Sequence, residues 1–287
     1  MPPREIQQDS TGITLAGAAH RDRTARIDGR DAMGRSNPGA WTECLGGAAW
    51  NVAVDLAALG HKPALHTVLG QDQSAFQDEA ERLGINLHAQ TSDASTASYS
   101  AIVDRNGDLL IAVADMDIYR DFSADPVDHA PALIVDANLE TEAIEALCSK
   151  ADWVAALAVS AAKAPRLERC LDKIDLLLAN ASEVEALGGL NALADHVSLI
   201  VSSDGAGVLR VIDHGEMDKF EVPPAAITGD VVGAGDALAA GYLHCWLKHQ
   251  SFDHCATFAI ACAQAVLAVN GPARHDLLQA ATESIAQ

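Results

Sequence analysis

Basic and aromatic residues are scarce in this chain. Aromatics make up 4%, and 19 Lys and Arg stand against 40 Asp and Glu, a formal charge of -21. Such a surface repels nucleic acid and anionic membranes, which argues against a general polyanion binder. It does not exclude a small phosphate ligand, because clustered backbone N–H groups hold an anion despite a hostile global field. The charge otherwise reads as a solubility device or as adaptation to a salty cytosol. No apolar run reaches bilayer-spanning length, and the opening MPPREIQQDSTG lacks the apolar core of a secretory signal. The expectation is a cytoplasmic protein with no membrane partner. The six cysteines (Cys44, Cys148, Cys170, Cys245, Cys255, Cys262) include no CxxC pair and read as buried free thiols. The histidines are mostly scattered singly. His244 and His249, placed on one helix, would point to different faces, so no zinc site is indicated. Internal repeats and low-complexity linkers are absent too.

What is present is a hydrophobic fraction of 49% over 287 residues, enough for one large α/β domain or two small ones. Ile13 to Ala16 and Trp41 to Leu45 read as short strands. Ala48 to Leu59 has helical spacing and ends at Gly60. Ala64 to Leu69 reads as a strand, and Ser74 to Leu83 as a helix capped by Ser74. Ser98 to Val103 and Leu109 to Val113 flank Asp104-Arg105-Asn106-Gly107-Asp108, a strong hairpin signal that interrupts the alternation and points to a small accessory sheet. Strands follow at Leu133 to Asp136, Trp153 to Ala158, Ile174 to Leu178 and Ser198 to Val201, with helices at Thr141 to Lys150 and Ser182 to Leu187. This alternation predicts a mostly parallel sheet between helices. Val208 to Ile212 and Lys219 to Val222 look like an antiparallel addition. Gly235 to His249 and Phe252 to Val269 form two long terminal helices.

The segment DVVGAGDALAAG, from Asp230 to Gly241, concentrates the chemistry. Gly233-Ala234-Gly235 runs straight into a strong helix, so backbone N–H groups at its start form an anion cradle. A carboxylate inside that cradle, Asp236, is placed to take a proton from an attacking hydroxyl. Taken alone, the same Asp serves equally well as a helix cap. Leu45-Gly46-Gly47-Ala48-Ala49-Trp50-Asn51 puts a glycine pair ahead of another helix, so that backbone and Asn51 face a ligand or simply begin a core helix. Asn180-Ala181-Ser182-Glu183 places an amide and a carboxylate where they either cap a helix or order water on a cation.

Together these segments resemble the ribokinase (PfkB) family of carbohydrate and nucleoside kinases. DVVGAGDALAAG is similar to its DTxGAGDxFxxG signature, the Gly46–Asn51 stretch to GGxxxNxA, and Asn180–Glu183 to NxxE. The resemblance implies an α/β, ribokinase-like fold: a mostly parallel central sheet between helices, as one catalytic domain over 1–287, with a small β lid drawn from about 36–46 and 96–117. It implies Asp236 as catalytic base and Gly233, Ala234 and Gly235 as the anion hole. It assigns the sugar to Asp22, Asn37, Gly46, Gly47 and Asn51. Asn180, Ser202, Asp204, Gly205, Gly207 and Gly235 fall to the nucleotide. Mg²⁺ is assigned to Glu183 and Asn180 through water, and a monovalent cation such as K⁺ to the surroundings of Asp230. ATP and Mg²⁺ are the implied cofactors, and a homodimer through the lid's exposed face the implied assembly.

Finer similarity, in Ser36-Asn37-Pro38-Gly39 and in Gly107 to Ile118, points to the pseudouridine kinases of the family. Phosphorylation of a nucleoside 5′-hydroxyl is the expectation. Another sugar or nucleoside as acceptor, or a binding homologue with impaired catalysis, are the alternatives. Three departures stand out. Trp50 replaces the Arg usual in pseudouridine kinases, and a Trp there could stack on a base. Ala156-Leu157-Ala158 replaces an Asp-Pro pair. Asp204 occupies the first Gly of the nucleotide-site TxGxxG, where a carboxylate beside phosphates repels unless it turns away. Leu187 to Ser198 is also short for the helix usual there.

Overall fold

The computed structural model describes residues 12–28, 34–106, 108–205, 207–224, 233–268 and 276–285. Asp230, Gly107 and most of the polar opening segment lie outside the described residues.

A nine-stranded sheet forms the body, in the order β13-β12-β11-β10-β9-β8-β1-β4-β5. Its strands are β1 (Ile13–Ala16), β4 (Ala64–Leu69), β5 (Asn86–Thr91), β8 (Ala130–Asp136), β9 (Ala151–Leu157), β10 (Leu176–Asn180), β11 (Leu199–Ser203), β12 (Val208–Asp213) and β13 (Glu216–Glu221). All pair in parallel except β12 and β13, which add antiparallel at one edge. Alternation along β8 shows why both faces are covered. Ala132 and Ile134 pack in one buried cluster, Leu133 and Val135 in the other. A strand apolar on both faces needs helices on both sides.

On the first face lie α1 (Ala48–Ala58), α2 (Ser74–Leu83), α6 (Ala234–Leu247), α7 (Phe252–Leu267) and α8 (Leu277–Ile285). On the second lie α3 (Thr141–Cys148), α4 (Ala181–Ala186), α5 (Leu190–Ala194) and 3₁₀ segments at Asp117–Asp121 and Ala164–Lys173. The α/β architecture with a mostly parallel sheet is as the sequence predicts.

A second sheet of four strands has the order β3-β2-β6-β7, from β2 (His20–Ile27), β3 (Gly39–Gly46), β6 (Ser98–Val103) and β7 (Leu109–Asp115). The hairpin expected from Asn106 is present: Asp104 N–H bonds the Asp108 carbonyl at 2.9 Å, and Asn106 N–H bonds Asp104 Oδ1 at 2.8 Å.

Several elements depart from the sequence expectation. The sequence HRDRTARI forms β2, an eight-residue strand whose charged side chains mask its period of two, so Asp22 lies in a strand, not a turn. The polar edge strand β5 and the last helix α8 are also additions. Ser74 is the first residue of α2, not its cap; Gln73 precedes it with no side-chain capping bond. Helix α6 ends at Leu247, and His249 follows with a φ of 55°, so His244 and His249 do not share a helix. The histidines are less scattered than they look. His61 Nε2 lies 3.0 Å from His244 Nδ1, joining the far ends of α1 and α6, and His66 stacks on His88 across β4 and β5. Five cysteines are buried as free thiols, but Cys44 is exposed.

Trp50 corrects the base-stacking expectation. It is 2% exposed and meets Phe76 of α2 edge-on, with ring centroids 4.8 Å apart. Its indole is core, not ligand surface. Trp50→Ala should therefore lower unfolding stability by about 3–5 kcal/mol in urea titrations. A loss below about 1 kcal/mol would return the ring to the ligand side.

Candidate active site

In parallel sheets, ligands gather beyond the carboxyl ends of strands where the strand order reverses. Here β1 sits between β8 and β4, so the chain turns at the ends of β1 and β8. Asp136 ends β8 at that point, completely buried. Its Oδ2 accepts Ala18 N–H at 2.8 Å and Ala49 N–H at 3.0 Å, and its Oδ1 accepts Asn138 N–H at 2.8 Å. One carboxylate thus ties the exit of β1, the start of α1 and the exit of β8. Burial pushes its pKa up, and the three N–H groups oppose that. A Cβ on Gly17 would sit 2.4 Å from the Asp136 carboxyl carbon, so only glycine lets the loop pass.

Gly47, at φ 109°, caps α1, and a Cβ there would meet the Ala18 carbonyl at 2.5 Å. The helix then carries Asn51 inward, where Asn51 Nδ2 donates to Asp236 Oδ2 at 2.8 Å across 185 residues of sequence. Asp236 stands in the first turn of α6, after Gly233 at φ 83°. Its pKa is raised to about 7: burial is the main cause, Asn51 opposes it, and the charges of Asp136, Asp22 and Glu183 add to it. Four predicted or newly found carboxylates therefore sense one another here.

Asp22 reaches this centre from β2. Its Oδ1 lies 3.1 Å from His20 Nε2, and a Cβ on Gly46 would fall 2.0 Å from its Oδ2, so the glycine makes room for the carboxylate. Of the sites expected from sequence, Asp22, Gly46, Gly47, Asn51 and Asp236 come together. Gly235 is exposed, and a Cβ on it would meet nothing within 4 Å.

Asn180 and Glu183 form a reciprocal capping box on α4. Asn180 Oδ1 accepts the Ser182 and Glu183 N–H groups, while Glu183 accepts from Asn180 N–H at 2.8 Å and Nδ2 at 2.7 Å. Burial raises the Glu183 pKa. The helix-capping role is thus present, and the buried carboxylate also acts electrically on Asp236. Among the described residues no group of three or more His, Cys, Asp or Glu could hold a metal ion. Glu183 and Asn180 direct their polar atoms to one another and to Ser182 within the cap.

Ser202 is buried in β11, and Asp204, Gly205 and Gly207 form the β11–β12 turn. The Asp204 carboxylate turns to Arg210 at 3.3 Å, which answers the repulsion expected from its position. Leu157 ends β9 in the core. The short span before β11 folds as the five-residue α5. Asn37 is exposed ahead of β3, with Nδ2 3.4 Å from the Arg35 carbonyl.

Sequence motifs miss Asp136, whose only signal is an acid ending the apolar strand ALIVD. They also miss Asn138, whose Oδ1 accepts from Lys163 Nζ, and Arg166, whose guanidinium bonds the Asn138 carbonyl at 2.6 Å.

A model of the pfkB family of carbohydrate kinases matches residues 11–277. The chain belongs to that family. It is 29% identical to an uncharacterized sugar kinase, YeiI, of Escherichia coli K12, over 93% of this chain and 80% of the relative. It is 28% identical to the pseudouridine kinase of the same organism, over 93% of this chain and 91% of the relative. A solved carbohydrate kinase from Agrobacterium tumefaciens superposes with a TM-score of 0.85 at 31% identity, covering 96% of this chain and 97% of the other. The protein is thus a sugar or nucleoside kinase of ribokinase-like fold. No helix among the described residues is long and apolar enough to cross a membrane.

The raised pKa of Asp236 has a stability consequence. Its folded carboxyl binds a proton more tightly than the unfolded one, so between about pH 4 and pH 7 stability falls as pH rises. Asp236→Asn should therefore be more stable than wild type at pH 8, by about 1–3 kcal/mol, with the gap closing at pH 5. Denaturant titrations at the two pH values test this; equal stabilities at pH 8 would contradict it.

Proposed function

We propose that this kinase transfers the γ-phosphoryl group of ATP to the 5′-hydroxyl of a nucleoside, with pseudouridine the foremost acceptor. The observation that carries the reading is the Asn51–Asp236 hydrogen bond, because it aims a proton-accepting carboxylate at the start of a helix that has no side-chain cap among the described residues, where N–H groups favour an anion. The resemblance in the Ser36–Gly39 and Gly107–Ile118 segments, and the 28% identity to a pseudouridine kinase over most of both chains, favour the nucleoside.

Asp236 takes the hydroxyl proton as the acceptor oxygen bonds to the γ-phosphorus and the bond to the β-phosphate oxygen breaks, leaving ADP. A pKa near 7 lets that carboxylate take the proton at neutral pH and release it afterwards. The N–H groups around Gly233, Ala234 and Gly235 stabilise charge on the group in flight. Asp22, Gly46, Gly47 and Asn51 hold the sugar in line, and Asn37 closes over it. Ser202, Asp204, Gly205 and Gly207 flank the nucleotide. Glu183 and Asn180 would hold Mg²⁺ through water, and the ion would supply charge neutralisation on the phosphates. The four-stranded sheet acts as the lid that excludes water from the transfer.

A coupled ADP-release screen over pseudouridine, uridine, other nucleosides, ribose and ketohexoses tests the reading. Pseudouridine should give the highest kcat/KM. Asp236→Asn should lose about 10²–10⁴ in kcat with nucleoside binding largely kept. Gly235→Ala should gain about 0.5–1 kcal/mol in stability, as a helix glycine replaced without a clash, yet lose turnover. Nucleoside binding without turnover in the wild type would instead indicate a homologue that has kept the sugar site and lost catalysis.

The lid also supports a homodimer. Trp41, Leu109, Ile111 and Val113 are each more than half exposed on it, a patch that a second copy would cover. Ile111→Lys should convert a dimer into a monomer by light scattering; an unchanged mass would remove the lid from the interface.

A further inference from the structure

Helices α1 and α6 are joined at both ends. At their starts Asn51 bonds Asp236 at 2.8 Å. At their far ends His61, just past α1, places Nε2 3.0 Å from Nδ1 of His244 in α6. At 1.5 Å of rise per residue the two contacts are about 12–15 Å apart along the helix pair. The far contact belongs to a longer chain, because Lys248 Nζ lies 3.2 Å from His244 Nε2. His244 is buried, and its ring stacks on Phe258 of α7 with centroids 5.4 Å apart.

Chemistry gives this chain one direction. A lysine ammonium only donates, so His244 Nε2 accepts and the ring proton sits on Nδ1. That N–H donates to His61 Nε2, which leaves the His61 proton on Nδ1. Both imidazole lone pairs are then occupied. A further proton has to take one of them, which breaks the hydrogen bond it held and sets a second cation beside Lys248. The surroundings offer no compensation: among the described residues neither ring has an ion pair with a carboxylate. On α7, His254 adds to the repulsion on His244, and Asp253 is exposed. On α8, Glu283 is exposed and accepts from Gln279 at 2.8 Å. On α1, the buried Asp55 is felt by Cys262. The face of Phe258 favours an imidazolium by a small cation–π attraction. Burial and Lys248 outweigh it. They hold the His61 pKa below its ordinary value, and with His61 and His254 they lower that of His244 to about 4.

We infer that His61, His244 and Lys248 form an acid-sensitive clasp, which fixes α1 to α6 at the end away from the active site and lets go when either imidazole takes up a proton. Each ring binds a proton less tightly in the folded chain than in the unfolded one. Its stabilisation is complete above about pH 6.5 and is lost as pH falls towards about 4. Asp236 acts in the opposite sense over much of the same range, since its raised pKa makes the folded chain more stable in acid. Acid therefore tightens the helix pair at the catalytic end and loosens it at the other. The clasp offsets the pH dependence that a catalytic carboxylate tuned near neutrality would otherwise impose on the fold.

The double variant His61→Gln/His244→Gln replaces both rings by amides, which donate and accept without titrating. Urea titrations of wild type and variant at about pH 7 and about pH 5 give the folding equilibrium constant of each. The ratio of variant to wild type should rise at least about tenfold between the two pH values. A ratio that stays constant would overturn the clasp and leave the kinase assignment untouched. Long-range ¹H–¹⁵N spectra of the wild-type imidazoles provide a second measurement that needs no substitution. Both rings should be neutral at about pH 6, with the ring proton on Nδ1 in each. A His244 proton on Nε2, or titration of both rings at the ordinary value of about 6.5, would overturn the inference as well.

Discussion

The buried carboxylate of Asp136 is the constraint on which the site depends. It accepts three backbone N–H groups, from the loop after β1, the start of α1 and the segment after β8. The loop after β1 leads to His20 and Asp22, the helix beginning at Ala48 carries Asn51, and the segment after β8 holds Asn138. An ionised group in a dry interior is costly unless fully hydrogen-bonded, so any slack in these segments would be penalised. Glycine at position 17 completes the arrangement, because a larger residue would displace the carboxylate. The same charge then acts on Asp236, lifting its proton affinity towards neutrality together with burial, Asp22 and Glu183.

This concentration of negative charge is, by its overall field, a poor host for a phosphate. A chain with 40 acidic and 19 basic residues does not recruit anions by its overall field. The helix start at Gly233–Asp236 presents backbone N–H groups instead, a kind of donor that favours an anion locally and at short range. The carboxylates do different work. Asp22 pairs with His20, Asp236 accepts from Asn51, and Glu183 is tied into the cap of α4. Lys163 and Arg166 stand behind the Asp136 loop, bonded to Asn138 and to its carbonyl, where they stiffen the wall.

The buried body was legible in the sequence because apolar patterning reports burial directly. The central parallel strands, the helices on both faces and the hairpin at Asn106 follow from that pattern. So do the glycine turns ahead of α1 and α6, since glycine at φ 109° and 83° is a backbone requirement that leaves a trace in the sequence. Elements stabilised by pairing were harder to see. The strand β2 looks like a charged loop because its arginines are answered by Glu43 and Asp72, residues 20 to 51 positions away. Asp136 looks like an ordinary strand end, since its partners are backbone groups with no sequence signature. Trp50 misleads for the opposite reason. A lone aromatic beside a ligand motif invites a binding role, and only Phe76, from another helix, reveals it as core.

The strand β2 shows how one short element can serve two purposes. Its period of two sends His20 and Asp22 to one face and Arg21 and Arg23 to the other. On the first face, His20 bonds Asp22, whose carboxylate lies against Gly46 at the mouth of the site. On the second, Arg21 divides its guanidinium between Glu43 of β3, at 2.8 Å, and the Asp72 carboxylate and carbonyl beyond β4, at 3.1 and 2.7 Å. Arg21 thus fastens the root of the small sheet to the body, while its neighbours in sequence, His20 and Asp22, lie on the opposite face of the strand. Asp72 in turn accepts both the N–H and the hydroxyl of Thr96, just ahead of β6. The small sheet is anchored at its root by charge-assisted hydrogen bonds, while its outer strand β7 is largely exposed.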